Sequence, residues 1–300
     1  MVEQPTSRDW AGVLTLGLIW GGTFMVVALA LEGYGPVTVA TARTTLGAVM
    51  LLALMRLTGR RMPTPSAQLW RAIVLIGVLS TALPFMLLSW GQQFVPSAFA
   101  GLSMSAIPLM VLPLAHFFSD EPLNLRRFFG VCLGFSGALV LIGPGLAQLG
   151  AGSEPLAQLA CVAAAFCYSC ASILTRRCPP IDPVTLSALT LVVGAVILLP
   201  IMLVTEGVPG WQGTRPGVAL IVLGLFPTAF ATLLRISVIR RAGSVFMTLV
   251  NYQVPIWSMI FGAWVLSEAL PLRFYIALVM ILTGLAISQW FSLRKMLFGR

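Results

Sequence analysis

Long apolar stretches separated by short polar or glycine- and proline-bearing connections occupy almost the whole chain: about 11–31, 36–57, 71–91, 96–118, 126–143, 156–175, 183–204, 217–238, 244–266 and 273–292. Each approaches the roughly 20 residues that a helix needs to cross the hydrocarbon of a bilayer. The pattern predicts an all-α membrane protein with ten transmembrane helices. The first stretch runs directly into further spans and lacks a small-residue cleavage site, so it is expected to persist as a mature span. Composition agrees: 58% of residues are hydrophobic and 9% charged, whereas a soluble domain carries about 25% charged residues.

The pattern also repeats. Sliding 35–142 over 182–289 without a gap, an offset of 147 residues, pairs Pro36-Val37-Thr38 with Pro183-Val184-Thr185, Gly47 with Gly194, and Thr81-Ala82 with Thr228-Ala229. It also pairs Pro108 with Pro255, Glu121 with Glu268, and Gly137 with Gly284. The arginines do not repeat: Arg56, Arg60, Arg61 and Arg71 face Leu203, Gly207, Val208 and Val218, while Arg240 and Arg241 face Gln93 and Phe94. Basic residues at opposite helix ends predict that one half is upside down relative to the other. The expected organisation is therefore two inverted five-helix repeats, 11–143 and 156–292. An inverted duplication suits a secondary transporter, because equivalent halves can exchange inward-open and outward-open states.

The formal charge of +9 bears on topology more than on partners. Arg8, the Arg56 to Arg71 cluster, Arg126-Arg127, Arg176-Arg177, Arg235, Arg240-Arg241 and Arg294-Lys295 with Arg300 all fall at one side; Arg215 and Arg273 fall at the other. By the positive-inside rule the first side is cytoplasmic, with both termini there and the loops near 32, 93, 150, 210 and 269 outside. A multi-pass plasma (inner) membrane protein is expected, with lipid and a small-molecule substrate as partners and no nucleic acid.

Enzyme chemistry finds little support. Ser103 and His116 lie on one helix, 13 residues and roughly 20 Å apart at helical rise, too far for a hydrogen-bonded dyad. Neither H-E-x-x-H nor G-x-x-x-x-G-K-[ST] occurs, so zinc proteolysis and ATP-driven pumping lack their machinery. Cys167-Tyr168-Ser169-Cys170 matches C-x-x-C, but without a second pair or a histidine at ligand spacing its expected role is packing, and no metal or cofactor is expected. All nine carboxylates fall in tails, loops or helix ends, which disfavours a midplane Asp or Glu as carrier of a coupling ion. Arg43 lies about two turns inside the second helix; snorkelling to the outer face is its expected role, ahead of substrate contact.

Prolines mark the expected centre. Pro108 and Pro255 interrupt the fourth helix of each repeat, and Pro84 and Pro227 the third, each removing an internal hydrogen bond and freeing a carbonyl. Such broken helices are the expected gating walls of a midplane site, with packing kinks as the alternative. Non-aliphatic side chains at that depth make Trp20, Thr23, Thr81, Phe85, Ser105, Tyr168, Thr228, Asn251 and Tyr252 the candidate substrate contacts; interhelical hydrogen bonding is the plainer role for each Ser and Thr. Asn251-Tyr252-Gln253 presents polar groups around more than half a helix, which predicts a pocket with one polar wall and one apolar wall. Gly17 with Gly21 and Gly130 with Gly134 offer close-approach faces, expected to pack within one chain, so that a monomer or weak homo-oligomer is anticipated.

Trp20-Gly21-Gly22-Thr23-Phe24, Pro36 with Arg43, Pro108 with Glu121 and Gly137, and the repeat partners Pro183, Pro255, Glu268 and Gly284 together resemble the drug/metabolite transporter superfamily. Among its ten-helix EamA-type members the chain is most similar to bacterial YddG-type amino-acid exporters. Ala28 stands where family members often carry a lysine, and Thr190 stands opposite Arg43. The resemblance implies export of small amphipathic metabolites, neutral and aromatic amino acids foremost, by alternating access. Other metabolites or drugs, or a non-transport role in assembly or lipid modification, form the alternative.

Overall fold

The computed structural model describes residues 6–64, 66–118, 124–146, 152–290 and Arg294; Glu121, Lys295 and Arg300 lie outside these. It is all-α. The helices are α1 (Ser7–Leu31), α2 (Pro36–Leu57), α3 (Ala67–Gly91), α4 (Ser97–Phe118), α5 (Leu125–Leu146), α6 (Ser153–Arg177), α7 (Pro183–Thr205), α8 (Thr214–Gly243), α9 (Val250–Val265) and α10 (Leu272–Ser288). Among the described residues the first eight are long and apolar enough to cross a membrane. The last two, at 16 and 17 residues, form shorter continuous helices than expected.

Large apolar side chains point outward along the bundle, among them Leu14, Val49, Leu75, Leu139, Val196, Ile260 and Val279. That many exposed apolar groups would be costly in water and suits lipid contact. Inside, α1 packs along α8 and α9, α6 along α3 and α4, α2 against α7, and α5 against α10. The close-approach glycines are used within the chain. Gly17 faces Gln253 and Gly21 faces Trp257, which joins α1 to α9. A Cβ on Gly130 would stand 2.6 Å from the carbonyl oxygen of Gly284, so α5 and α10 meet backbone to backbone.

Helix starts show how the halves are joined. Pro36 and Pro183 each open a helix at its first turn, where no N–H is needed. For α7 the preceding Asp182 caps its own helix, accepting from the N–H groups of Val184 (3.1 Å) and Thr185 (3.0 Å). For α2 the equivalent residue is Gly35, and the cap comes from Glu206 beyond α7, whose carboxylate accepts from Val37 (3.0 Å) and Thr38 (2.8 Å). A side chain at 35 would collide with that carboxylate. Glu268 does the same for α4, accepting from Ser97 at 2.6 Å and Ala98 at 3.0 Å. Carboxylates at helix N-termini satisfy orphan donors and favour the positive dipole end.

The Glu206 and Glu268 caps, the Arg215–Glu32 pair (3.1 Å) and a bond from the Gln212 N–H to the Tyr34 hydroxyl (3.2 Å) gather at one end of the bundle. At the other end Asp182 pairs with Arg60 (3.0 Å) and Arg240 (3.5 Å), and Asp9 with Arg241 (2.7 Å).

The fourth span carries the break that its proline predicts, and the ninth is corrected. The fourth is not continuous over 96–118: Pro108 cannot donate to the carbonyl of Met104, and the chain passes through a tight turn at Ser105-Ala106, with Ser105 bonded to Leu102 (3.1 Å) and Ala106 to Ser103 (3.2 Å). The ninth does not run unbroken from 244. Gly243 has φ 86°, a left-handed conformation that ends a right-handed helix, and a further turn at Thr248-Leu249 delays regular helix to Val250. The interruptions in α4 and α9 thus fall at different repeat positions, although their prolines are equivalent.

Candidate substrate site

The centre of the bundle is organised by two π-helical segments, Val78–Ala82 inside α3 and Gly224–Phe230 inside α8. A π-turn inserts one residue into the helical ladder, often at functional sites. Prolines explain both. Pro84 follows the first segment and Pro227 lies within the second, each withdrawing a donor from the carbonyl four residues earlier. For Pro227 that carbonyl is Leu223, and the hydroxyl of Thr228 donates to it at 2.8 Å, replacing the missing N–H. The Trp20 indole N–H donates to the Pro227 carbonyl at 3.2 Å, tying α1 to the same segment.

Around the first segment, Thr81 donates to the carbonyls of Gly77 (2.6 Å) and Thr190 (3.2 Å), and Gly194 of α7 leaves room for it. Around the second, Thr228 packs on Gly47 of α2 and accepts a hydrogen bond from Nε of Arg43 at 3.0 Å. The Arg43 guanidinium carbon lies 3.8 Å from the centre of the Phe85 ring, within cation–π range. Tyr168 of α6 is near enough to interact electrostatically with Arg43. Arg43 is 9% exposed, which corrects the snorkelling expectation: Phe85 and Thr228 hold the guanidinium inside the bundle.

The predicted contacts divide accordingly. Phe85, Tyr168 and Thr228 converge on Arg43, and Trp20 adjoins them through Pro227. Thr81 belongs to the α3–α7 seam. Thr23 and Ser105 turn back onto their own helices, donating to the carbonyls of Ile19 and Leu102. On α9, Asn251 and Tyr252 are half-buried, and the Tyr252 hydroxyl is buried without a hydrogen-bond partner among the described residues. Gln253 turns instead into the α1–α9 seam at Gly17. Sequence reasoning missed the Arg43 cluster because burial of a long cation depends on what the opposite repeat places beside it. The Phe85 and Thr228 that receive it are separated from it by 42 and 185 positions in the chain.

Two clefts open toward the end that carries Arg60, Arg240 and Arg241. One, of about 350 Å³, is lined by Leu54, Arg60, Leu233, Arg240 and Arg241; the other, of about 270 Å³, by Arg8, Thr15, Leu234 and Arg241. Leu233 also packs against the apolar cluster that contains Phe85 and Tyr168. Among the described residues no group of histidine, cysteine, aspartate or glutamate side chains is placed to hold a metal ion.

A ten-helix membrane bundle with proline-opened central helices invites comparison with known carriers. The profile of the EamA-like transporter family matches residues 10–143 and 155–290. The chain belongs to that family. It is a multi-pass integral membrane protein for transport, not an enzyme. Similar proteins include an uncharacterized transporter, YoaV, of Bacillus subtilis, 25% identical over 95% of this chain and 98% of that one. Protein PecM of Dickeya dadantii is 24% identical over 92% and 90%. A probable terminal-alkyne amino-acid exporter of Streptantibioticus cattleyicolor is 27% identical over 73% and 72%. A crystal structure 20% identical in sequence, covering 96% of this chain and 99% of its own, superposes with a TM-score of 0.68, which establishes the shared fold.

Proposed function

We propose that this EamA-family transporter exports small amphipathic metabolites, neutral and aromatic amino acids foremost, by alternating access between two inverted five-helix repeats, 11–143 and 156–292. The observation that carries the reading is the convergence of Arg43, Phe85, Tyr168 and Thr228 from four helices of both halves, beside a π-opened α8. One polar cationic group against aromatic faces suits a solute with a charged head and an apolar body.

Exchange of packing partners supports the inverted repeat. Gly47 meets Thr228 and Leu191, while its partner Gly194 meets Thr81 and Thr44, so each contact maps onto the other under the 147-residue offset. Proline-bearing α3, α4, α8 and α9 supply the gating walls, with Pro84, Pro108 and Pro227 at discontinuities and Pro255 inside the continuous run of α9. Both termini are assigned to the cytoplasm by the basic residues gathered at the cleft-bearing end. On that orientation the Glu206 and Glu268 caps lie at the outer end and the clefts open toward the cytoplasm, which supports an inward-facing reading. Asn251 and Tyr252 are assigned to the cavity wall opposite Arg43.

Counterflow in proteoliposomes tests the assignment: vesicles loaded with unlabelled neutral amino acids should accumulate labelled phenylalanine or leucine. Tyr252→Ala and Asn251→Ala should reduce that uptake in protein that still folds. Absence of exchange with every amino acid in a panel, from folded wild type, would remove amino acids as cargo.

A further inference from the structure

Arg43 stands out as a buried cation without a counter-ion. No carboxylate pairs with it among the described residues: its protein contacts are the Nε bond to Thr228, the Phe85 ring and the electrostatic proximity of Tyr168. Among the described residues its two terminal nitrogens, four N–H donors in a planar fork, have no hydrogen-bond acceptor, yet neither is fully sealed from solvent. The uncharged alternative is present in the same molecule: the repeat-equivalent residue is Thr190, whose carbonyl simply receives Thr81. Retaining a desolvated charge with its fork unused costs stability unless something completes it.

We infer that the Arg43 guanidinium is a carboxylate-binding site, taking the carboxylate of the transported solute in a bidentate pair on its terminal nitrogens while Nε stays on Thr228. The geometry divides the labour. Thr228 and Phe85 fix the plane of the guanidinium, leaving the outer edge to a planar anion, the pairing to which that fork is matched. Phe85 and Tyr168 then supply an apolar and aromatic wall beside the bound group. Arg8, Arg60, Arg240 and Arg241 line the clefts, where Asp182 and Asp9 pair with three of them and leave a net positive balance, and Leu233 links the larger cleft to the apolar cluster around Phe85. A net positive balance raises the local concentration of an anionic solute. The inference rests on the carrier reading above and narrows it: a carboxylate is required, whereas an amino group is not.

Binding and transport separate the two claims. Purified wild type, Arg43→Gln and Arg43→Lys, each checked for a monodisperse folded state, would be titrated in detergent with phenylalanine, 3-phenylpropionate and phenylalaninamide, following thermal unfolding and calorimetric heat. Phenylalanine and 3-phenylpropionate should bind wild type, and the amide should bind at least about tenfold more weakly, the scale of a lost charge-assisted hydrogen bond. Arg43→Gln should abolish this discrimination and Arg43→Lys should restore part of it. Equal binding of all three probes, unchanged discrimination in Arg43→Gln, or no response of wild type to either carboxylate overturns the site. Carboxylate binding without amino-acid counterflow would sink the amino-acid cargo and leave the Arg43 site standing.

Discussion

The two π-segments are built on one plan and end in different chemistry. In α3, Thr81 fits the space over Gly194 and bonds to the backbone of α7; in α8, Thr228 fits over Gly47 and bonds to a guanidinium. The offset turns Thr81 into Thr228, Gly194 into Gly47 and Thr190 into Arg43. The aromatic base differs as well, since Phe85 corresponds to Thr232. Duplication thus supplied the opened helices and the glycine seam twice, and side-chain divergence at two positions made one copy a structural joint and the other a charged site.

The sharpest way to break the comparison is to place the charge on the wrong side. Thr190→Arg would bury a cation where the equivalent of Phe85 is Thr232, which offers no aromatic base. Stability should fall by at least about 3 kcal/mol, because a buried charge would lack compensation; thermal unfolding in detergent checks it, and retention of wild-type stability would show that the sites are interchangeable. The common part of the plan is probed by Gly47→Val and Gly194→Val. A Cβ at 47 would stand 2.6 Å from Thr228 Cγ2, and one at 194 would collide with the Thr81 hydroxyl. Both should lose about 1–3 kcal/mol through overpacking, and a large difference between them would show that the seams are not equivalent.

Smaller changes sharpen the contrast. Thr228→Val removes both the acceptor for Arg43 and the donor to Leu223, whereas Thr81→Val removes only backbone-directed bonds. The first should cost about 2 kcal/mol and the second about 1 kcal/mol in unfolding measurements; the reverse order would deny the Arg43 contact a structural share.

The smallest effect concerns the helix starts, where Asp182 caps α7 locally and Glu206 caps α2 from the other half. Burial opposes ionisation of Asp182, but the Thr185 N–H, Arg60, the Thr185 hydroxyl and the Val184 N–H together hold its carboxyl below the ordinary value of 3.8. A depressed carboxyl pKa contributes stability that is present above the unfolded value and lost as pH falls through the folded one. Asp182→Asn should therefore reduce the acid dependence of unfolding below about pH 4, while leaving its shape near neutrality unchanged. An unaltered acid limb would mean that the carboxylate contributes nothing measurable.

Much of the fold was legible before any contact was known. Ten apolar stretches mark ten helices, and Pro36, Pro183, Pro84 and Pro227 mark starts and openings that the structure contains. The breaks in α4 and α9 were less legible. Pro108 and Pro255 are equivalent in sequence, yet Gly243 and the turn at Thr248-Leu249 move the second discontinuity toward the helix start. Of the candidate contacts, Phe85, Tyr168 and Thr228 were chosen by depth alone and do meet at one place, but depth could not distinguish them from Thr23 or Ser105, whose hydroxyls are satisfied within their own helices.

Local chemistry along the chain determined that this protein lives in lipid, how many helices it forms, where prolines interrupt them, and that its halves repeat: hydrophobic length, missing N–H groups and residue identity are properties of short segments. Which cation would be buried, which glutamates would cap helices of the other half, and which of two equivalent threonines would face a charge were decided only by tertiary structure. Each depends on groups more than a hundred residues away in sequence, brought within about 3 Å by packing of one repeat against the other.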